Sequence, residues 1–183
     1  MRNMLSALFM VILGPVSSLA VEYHVAKYGN DGAAGGAGTP WLTIQKAANT
    51  VVAGDIVRVH AGTYEERVAE STDGSAVNPI TYVADEAVVV RGFNIEGDYV
   101  RVIGFEITHA VPTSSHGIVI SNAAHVQILD CNIHNTGDGL VDSYGISISP
   151  AGAPYLILRG NTLSYSGSPG NDNGPGMKSI NDS

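Results

Sequence analysis

The apolar residues of this chain predict one short helix followed by many short strands. Residues 41–51 carry an approximate apolar stripe at helical spacing, formed by Leu42, Ile44, Ala47, Ala48 and Val51. Thr39 or Thr43 is placed to cap this helix, which we expect to end by Gly54. From Asp55 onward the helical period disappears, and strand-like runs take over at 56–59, 66–68, 80–83 and 88–90.

An internal repeat organises the later strands. Residues 100–107, 126–133 and 156–163 share aliphatic residues at their first, third and eighth positions, and the copies begin 26 and then 30 residues apart. A second series lies between them and begins at Gly117, Gly145 and Gly176. Two interleaved strand series at this period indicate a chain that winds in regular coils.

The repeat predicts an all-β solenoid, a parallel β-helix with a short N-terminal capping helix. Each coil would bury its inward side chains against the coils above and below, while parallel pairing satisfies the backbone. A β-sandwich lacks this gapped repeat, and a doubly wound sheet needs a helix between successive parallel strands. The helix at 41–51 is placed to cover the N-terminal edge of the stack.

The first twenty residues have the pattern of a secretory signal peptide. Arg2 precedes an apolar run over residues 4–13, and small residues end the segment at 17–20. The run is too short to cross a bilayer, so we expect cleavage after Ala20 and no stable membrane insertion. The predicted organisation is a signal at 1–20, an N-terminal strand, Gly-rich loop and capping helix at 21–54, and β-helix coils at 55–183.

Composition narrows the function classes. The formal net charge is −8, and loss of Arg2 with the signal would make it one unit more negative, which disfavours nucleic-acid binding. Cys131 is the only cysteine, so no intrachain disulfide can form, and its place in the repeat predicts a buried packing role. The histidines lack the paired spacing of a helical zinc motif, and no serine nucleophile elbow is present.

Three segments resemble one known superfamily. Residues 23–32, 38–48 and 53–64 resemble the N-terminal cap and first coil of pectate-lyase-like right-handed parallel β-helix proteins. This resemblance implies a right-handed helix, export to the extracellular space or the periplasm, and action on acidic polysaccharide. The usual chemistry of that superfamily is β-elimination, with Ca²⁺ held by carboxylates and an Arg or Lys as the base.

The resemblance directs attention to the acidic residues and cations of the later coils. Asp138, Asp142 and Asp172 are the candidate Ca²⁺ ligands, because clustered carboxylate oxygens suit this ion, and Lys178 is the candidate base. The alternative for each Asp is a turn role beside Gly. Pro175 stands near Lys178 where calcium-dependent lyases of this kind carry an Asp.

Other interpretations remain open at this point. The chain is a polysaccharide lyase-like enzyme, a non-catalytic extracellular module for polysaccharide binding or adhesion, or a fragment of a larger enzyme. The run at 176–180 resembles a strand that is just beginning, so we expect a β-helix that is incomplete at its C-terminus. An open end of this kind would offer an edge for association.

Overall fold

The computed structural model describes residues 19–108, 116–136, 144–148 and 153–164, together with the backbone of residues 177–179. It contains one helix in this part of the chain, α1 (Ile44–Ala48), and fourteen strands. In chain order the strands are β1 (Glu22–Val25), β2 (Ile56–Val59), β3 (Gly62–Glu70), β4 (Ile80–Ala84), β5 (Val88–Ile95), β6 (Val100–Ile103), β7 (Glu106–Ile107), β8 (His116–Ile120), β9 (Gln127–Leu129), β10 (Asn132–Ile133), β11 (Tyr144–Ile148), β12 (Ile157–Arg159), β13 (Thr162–Leu163) and β14 (Met177–Ser179).

The strands pair in parallel and stack into a β-solenoid. A six-stranded sheet has the order β1-β2-β4-β6-β9-β12. The second sheet is branched at the long strand β5, whose first half pairs with β7 and whose second half pairs with β8. Two columns therefore run on from β5, one formed by β7, β10 and β13 and the other by β8, β11 and β14.

Both repeat series predicted from the sequence are confirmed as stacked strands. Arg101 pairs with Gln127 and Gln127 with Ile157, which reproduces the offsets of 26 and 30 residues. In the second series, Ile118 pairs with Ile146 and Ile146 with Met177. The offset between repeat copies was enough to predict the strand register, because each copy buries the residues at the same positions.

The core fills the inside of the solenoid with columns of apolar side chains. An aromatic column links Tyr82, Phe93 and Phe105, with ring centroids 5.9 and 5.3 Å apart and tilted or edge-to-face ring planes. A second buried column is formed by isoleucines in register on β5, β8 and β11, namely Ile95, Ile120 and Ile148. Because each inward residue packs on neighbouring coils, no coil buries its apolar face alone.

The N-terminal helix is shorter than the stripe at 41–51 predicts. Thr43 is its N-cap, with an extended backbone and a side-chain oxygen that accepts from Lys46 N–H. Trp41 is not helical, because its backbone bridges Val25 and its ring stacks on Tyr23 at 4.6 Å. The prediction of Thr39 as an alternative cap is therefore wrong, and the prediction of Thr43 is confirmed.

The turns that follow the six-stranded sheet form a column of their own. Gly104, Asp130 and Gly160 all have positive φ at this corner, which is why two of the three are glycine. Asn161 accepts from Cys131 N–H at 2.9 Å and donates to Ile128 O at 2.7 Å, so its side chain bonds two coils together. Asn132, by contrast, is exposed.

Cys131 is buried, as its repeat position predicts, and burial raises the pKa of its thiol to about 11. Its Sγ lies 3.3 Å from Leu129 O. Such a thiol stays protonated at neutral pH, which makes it a packing residue rather than a nucleophile.

Across the described residues, no helix combines the length and the apolar character needed to span a membrane.

Candidate functional site

The most informative surface is the outer side of β8, β11 and β14, together with the second half of β5; we call it the β8–β11–β14 face. Asn94, Val119, Ser147 and Lys178 follow one another in register across these four strands. The alternate positions carry buried isoleucines that point into the core. Asn94 and Val119, which alternate with these buried residues, therefore lie on the outer side of the sheet, and Lys178 occupies the same register position on β14.

Lys178, the predicted base, lies in β14, and its backbone pairs with Ser147 of β11. The three predicted Ca²⁺ ligands, Asp138, Asp142 and Asp172, lie outside the described residues. Within the described ranges, no group of three or more His, Cys, Asp or Glu residues is placed to hold a metal ion. Of the four predicted site residues, the structure therefore describes the backbone position of Lys178 alone.

The chain order relates this face to the segments that carry the acidic residues. Residues 137–143, with Asp138 and Asp142, connect β10 to β11. Residues 165–176, with Asp172, connect β13 to β14. Since β10 pairs with β13 and β11 with β14, both segments begin on neighbouring rungs and end on neighbouring strands of the β8–β11–β14 face.

Arg67 is a cation of this region that the sequence interpretation missed. Its guanidinium donates to Gly117 O at 3.2 Å and to His116 O, at the start of β8. It crosses Gly92, where a Cβ would lie only 2.2 Å from Gly117 O and 2.5 Å from Nη1 of Arg67. Gly92 therefore makes room for the close approach of the Gly117 carbonyl and for the Arg67 side chain.

Burial shapes the electrostatics of Arg67. Desolvation lowers the pKa of this guanidinium from its ordinary value, although arginine remains charged at neutral pH. Within the described part of the chain, no carboxylate lies within salt-bridge distance of it. The guanidinium reaches the level of β8, two rungs from β14, so it lies about 10 Å along the stack from the rung of Lys178.

Two stacked rings form the edge of the face where β8 and β11 begin. His116 and Tyr144 stack with centroids 5.2 Å apart, and Tyr144 N–H donates to His116 Nδ1 at 3.3 Å. The Thr136 hydroxyl donates to Tyr144 O at 3.2 Å. These contacts fix the points at which the segments 109–115 and 137–143 rejoin the sheet.

Polar groups on this face are incompletely satisfied by the described residues. The buried Oδ1 of Asn94 has no hydrogen-bond partner among them. An unpaired buried acceptor of this kind is costly. A face with a half-buried guanidinium, which no carboxylate of the described residues pairs, and with a lysine position is suited to an anionic ligand.

Comparison with known proteins places this architecture in a family. A family model described as "Pel9A-like, right handed beta helix region" matches residues 23–175. The chain belongs to this Pel9A-like family. Its solenoid is accordingly the right-handed parallel β-helix that the cap and first coil predict, and the predicted fold class is confirmed.

Solved structures carry the same fold. A rhamnogalacturonan lyase matches the Pel9A-like chain with a TM-score of 0.59 and 18% identity over 78% of it. The pectate lyase Pel9A matches with a TM-score of 0.57 and 16% identity over 81% of it. A GH136 lacto-N-biosidase from Eubacterium ramulus matches with a TM-score of 0.60 and 14% identity over 76% of it.

The shared region is only part of each neighbour. The chain covers 51% of the rhamnogalacturonan lyase, 49% of the pectate lyase and 33% of the biosidase. No curated protein matches it. At these identities the likeness establishes the fold alone. The same fold occurs in two proteins named as lyases and in one named as a biosidase, so it does not decide the activity.

Proposed function

We propose that this protein is a secreted polysaccharide lyase-like enzyme that cleaves an acidic, uronate-containing polymer along the β8–β11–β14 face. The observation that carries the proposal is the strand register, which sets Lys178 next to the strand that follows Asp138 and Asp142. Two of the structural neighbours described above are named as a rhamnogalacturonan lyase and a pectate lyase, which supports this substrate class.

The reaction is a β-elimination in which Lys178 is the base. Its neutral amine takes the proton from the carbon α to the uronate carboxyl group. That electron pair forms a carbon–carbon double bond as the bond to the glycosidic oxygen breaks, and the leaving oxygen takes a proton from water. Arg67 lies on the same face as a fixed positive charge and favours binding of the polyanion.

Calcium is the cofactor in this proposal, held by Asp138, Asp142 and Asp172. Carboxylate oxygens of these residues suit a hard cation with several oxygen ligands. Bound there, the ion would neutralise the uronate carboxylate, on which negative charge builds up during proton removal. The support for this ligand set is chain order, because its two segments end on adjacent strands of the face.

The test is ultraviolet absorbance of unsaturated uronate, measured with the purified protein on pectate, rhamnogalacturonan and alginate. We expect product with Ca²⁺ from at least one polymer and loss of product when a chelator is added. A folded protein that binds one of these polymers without releasing product would identify it as a non-catalytic binding module. Activity that a chelator leaves unchanged would contradict the calcium part of the proposal.

Export and cleavage after Ala20 belong to the same proposal, and one contact supports the cleavage position. Val21 N–H donates to Asp55 Oδ1 at 2.9 Å, while Oδ2 of the same carboxylate accepts from Val52 N–H at 2.9 Å. Asp55 is buried, whereas Leu19 is exposed. Cleavage after Ala20 would convert this amide into an ammonium group already paired with a buried carboxylate.

We therefore expect N-terminal sequencing of the exported protein to begin at Val21. In that protein, Asp55→Asn should lower the free energy of unfolding by about 2 kcal/mol, because a buried charge-assisted bond is lost. Asp85→Asn is the control, since Asp85 pairs with Arg58 at the surface and should cost less than about 1 kcal/mol. An N-terminus inside β1, or an Asp55→Asn protein as stable as the control, would contradict the proposed cleavage contact.

A further inference from the structure

Three aromatic side chains stack outside the solenoid at the corner that leads into β6, β9 and β12. The ring centroids of Tyr99 and His125 are 4.2 Å apart, and those of His125 and Tyr155 are 4.4 Å apart. The ring planes are nearly parallel, at 5° and 7°. All three residues have positive φ, so the backbone adopts an unfavourable conformation in three successive coils to build this column.

A cleft runs beside the column on the outer surface of the six-stranded sheet. Arg101, Gln127 and Ile157, which are register neighbours on β6, β9 and β12, form its floor. Ala76 and Pro79 also line it, and its volume is about 280 Å³. Tyr155 is 74% exposed and Ile157 is 45% exposed, so this surface combines an open aromatic ring with an apolar side chain.

Arg101 is the charged group of the cleft, and its bonding is incomplete. Its Nε is buried and has no hydrogen-bond partner among the described residues. Two other arginines of the chain are paired, Arg58 with Glu22 and Asp85, and Arg91 with Glu65. No salt bridge among the described residues includes Arg101, so a carboxylate bound in the cleft would be the counter-charge of its guanidinium.

We propose that this cleft is an accessory binding site for an acidic polysaccharide, separate from the β8–β11–β14 face. A uronate carboxylate pairs with Arg101, Gln127 offers amide hydrogen bonds, and the apolar face of a sugar ring packs on Tyr155. An exposed tyrosine ring offers a large apolar face, and a guanidinium can bind a carboxylate through two parallel hydrogen bonds. The site would hold a polymer on the enzyme while cleavage takes place on another side of the solenoid.

The ligand class follows from the chemistry of the cleft. A neutral sugar would leave the Arg101 guanidinium without a counter-charge, and a simple anion would not use the aromatic column. A nucleic acid combines anionic charge with stacking rings, but the net charge of −8 opposes it. An acidic sugar polymer satisfies both features at once.

The experiment is a binding titration with oligogalacturonate in the presence of a chelator, so that cleavage cannot contribute. Arg101→Gln and Tyr155→Ala should each weaken binding by at least fivefold, and a neutral maltooligosaccharide of equal length should bind more weakly to the unmodified protein. Matched controls are Arg58→Gln, a paired arginine on the same sheet, and Tyr28→Ala, an exposed tyrosine of the N-terminal loop. Both controls should bind as the unmodified protein does.

Two results would overturn the accessory site. One is unchanged affinity in both cleft variants with intact circular dichroism spectra, and the other is an equal loss of affinity in Arg58→Gln. Binding is measured without turnover, so a protein that proves to have no lyase activity can still confirm the accessory site. Conversely, cleavage of a short uronate oligomer at the normal rate by Tyr155→Ala would separate this site from catalysis.

Discussion

Lys178→Gln is expected to lower the rate of uronate cleavage by about 100-fold or more. Positioned general bases contribute on the order of 10²–10⁴-fold, and glutamine keeps much of the side-chain length without a basic nitrogen. Because the amine acts on the reacting proton, the loss should fall on kcat, with a smaller change in KM. Initial rates of absorbance increase at saturating Ca²⁺ measure both parameters.

Two controls separate the role of Lys178 from general charge. Arg159→Gln removes a cation from β12, on the six-stranded sheet, and should leave kcat unchanged. Ser147→Ala changes the register neighbour of Lys178 and should affect the rate far less than Lys178→Gln does. If Lys178→Gln is folded and retains full kcat, the base is another residue and the assignment is wrong.

The later coils could be predicted from the sequence because their residues repeat. The aliphatic positions of 100–107 recur in 126–133 and 156–163, and stacked coils with like residues at like positions have one register that buries them all. The same argument predicts the register of the strand series that begins at Gly117. The repeat of aliphatic positions was therefore enough to predict the strand register wherever one coil has the same pattern as the next.

The first coil could not be predicted in this way, and it holds the residues that the sequence interpretation missed. The register of β3 against β5 shifts between Tyr64 and Arg67, so no constant offset relates these strands to later ones. Buried Tyr64 and Val68 alternate with Glu66 and Glu70, and this mixture hides the inward face. Glu66 faces the helix, where it accepts from Ile44 N–H and Gln45 N–H.

The residues of the candidate site likewise differ in whether the repeat predicts their position. Lys178 could be placed on a strand because its segment repeats the pattern of 117–121, and the structure puts it in β14. Arg67 could not be placed beside that surface, because its guanidinium reaches across Gly92 to carbonyls of β8, about 50 residues further along the chain. Contacts of that kind depend on the stacking of coils, which local sequence does not encode.

Glu70→Ala is expected to lower the free energy of unfolding by about 3 kcal/mol. Glu70 is buried at the end of β3, where its carboxylate accepts from the Tyr82 hydroxyl and, at 2.7 Å, from Thr72 N–H. Alanine would leave the buried hydroxyl without its acceptor and would open a cavity beside the aromatic column. Urea unfolding followed by circular dichroism measures the change.

Glu70→Gln should behave differently, because a primary amide can keep both bonds. Its carbonyl can accept from Thr72 N–H, while its NH₂ group donates to the Tyr82 oxygen, whose proton turns away. Burial raises the pKa of the Glu70 carboxyl from its ordinary value, since desolvation outweighs the hydrogen bonds that it accepts. The native state therefore holds this proton more tightly than the unfolded state does.

The pH dependence follows from that direction. Below the ordinary pKa of glutamate, the carboxyl is protonated in both states, so its favourable contribution to stability is fully present. As the pH rises from there through the raised native pKa, the unfolded chain releases its proton first, and stability is lost. The free-energy difference between Glu70→Gln and the unmodified protein should therefore shift in favour of glutamine from pH 4 to pH 7. A difference that stays constant over this range would mean that Glu70 is charged in the native state at a cost no greater than in water.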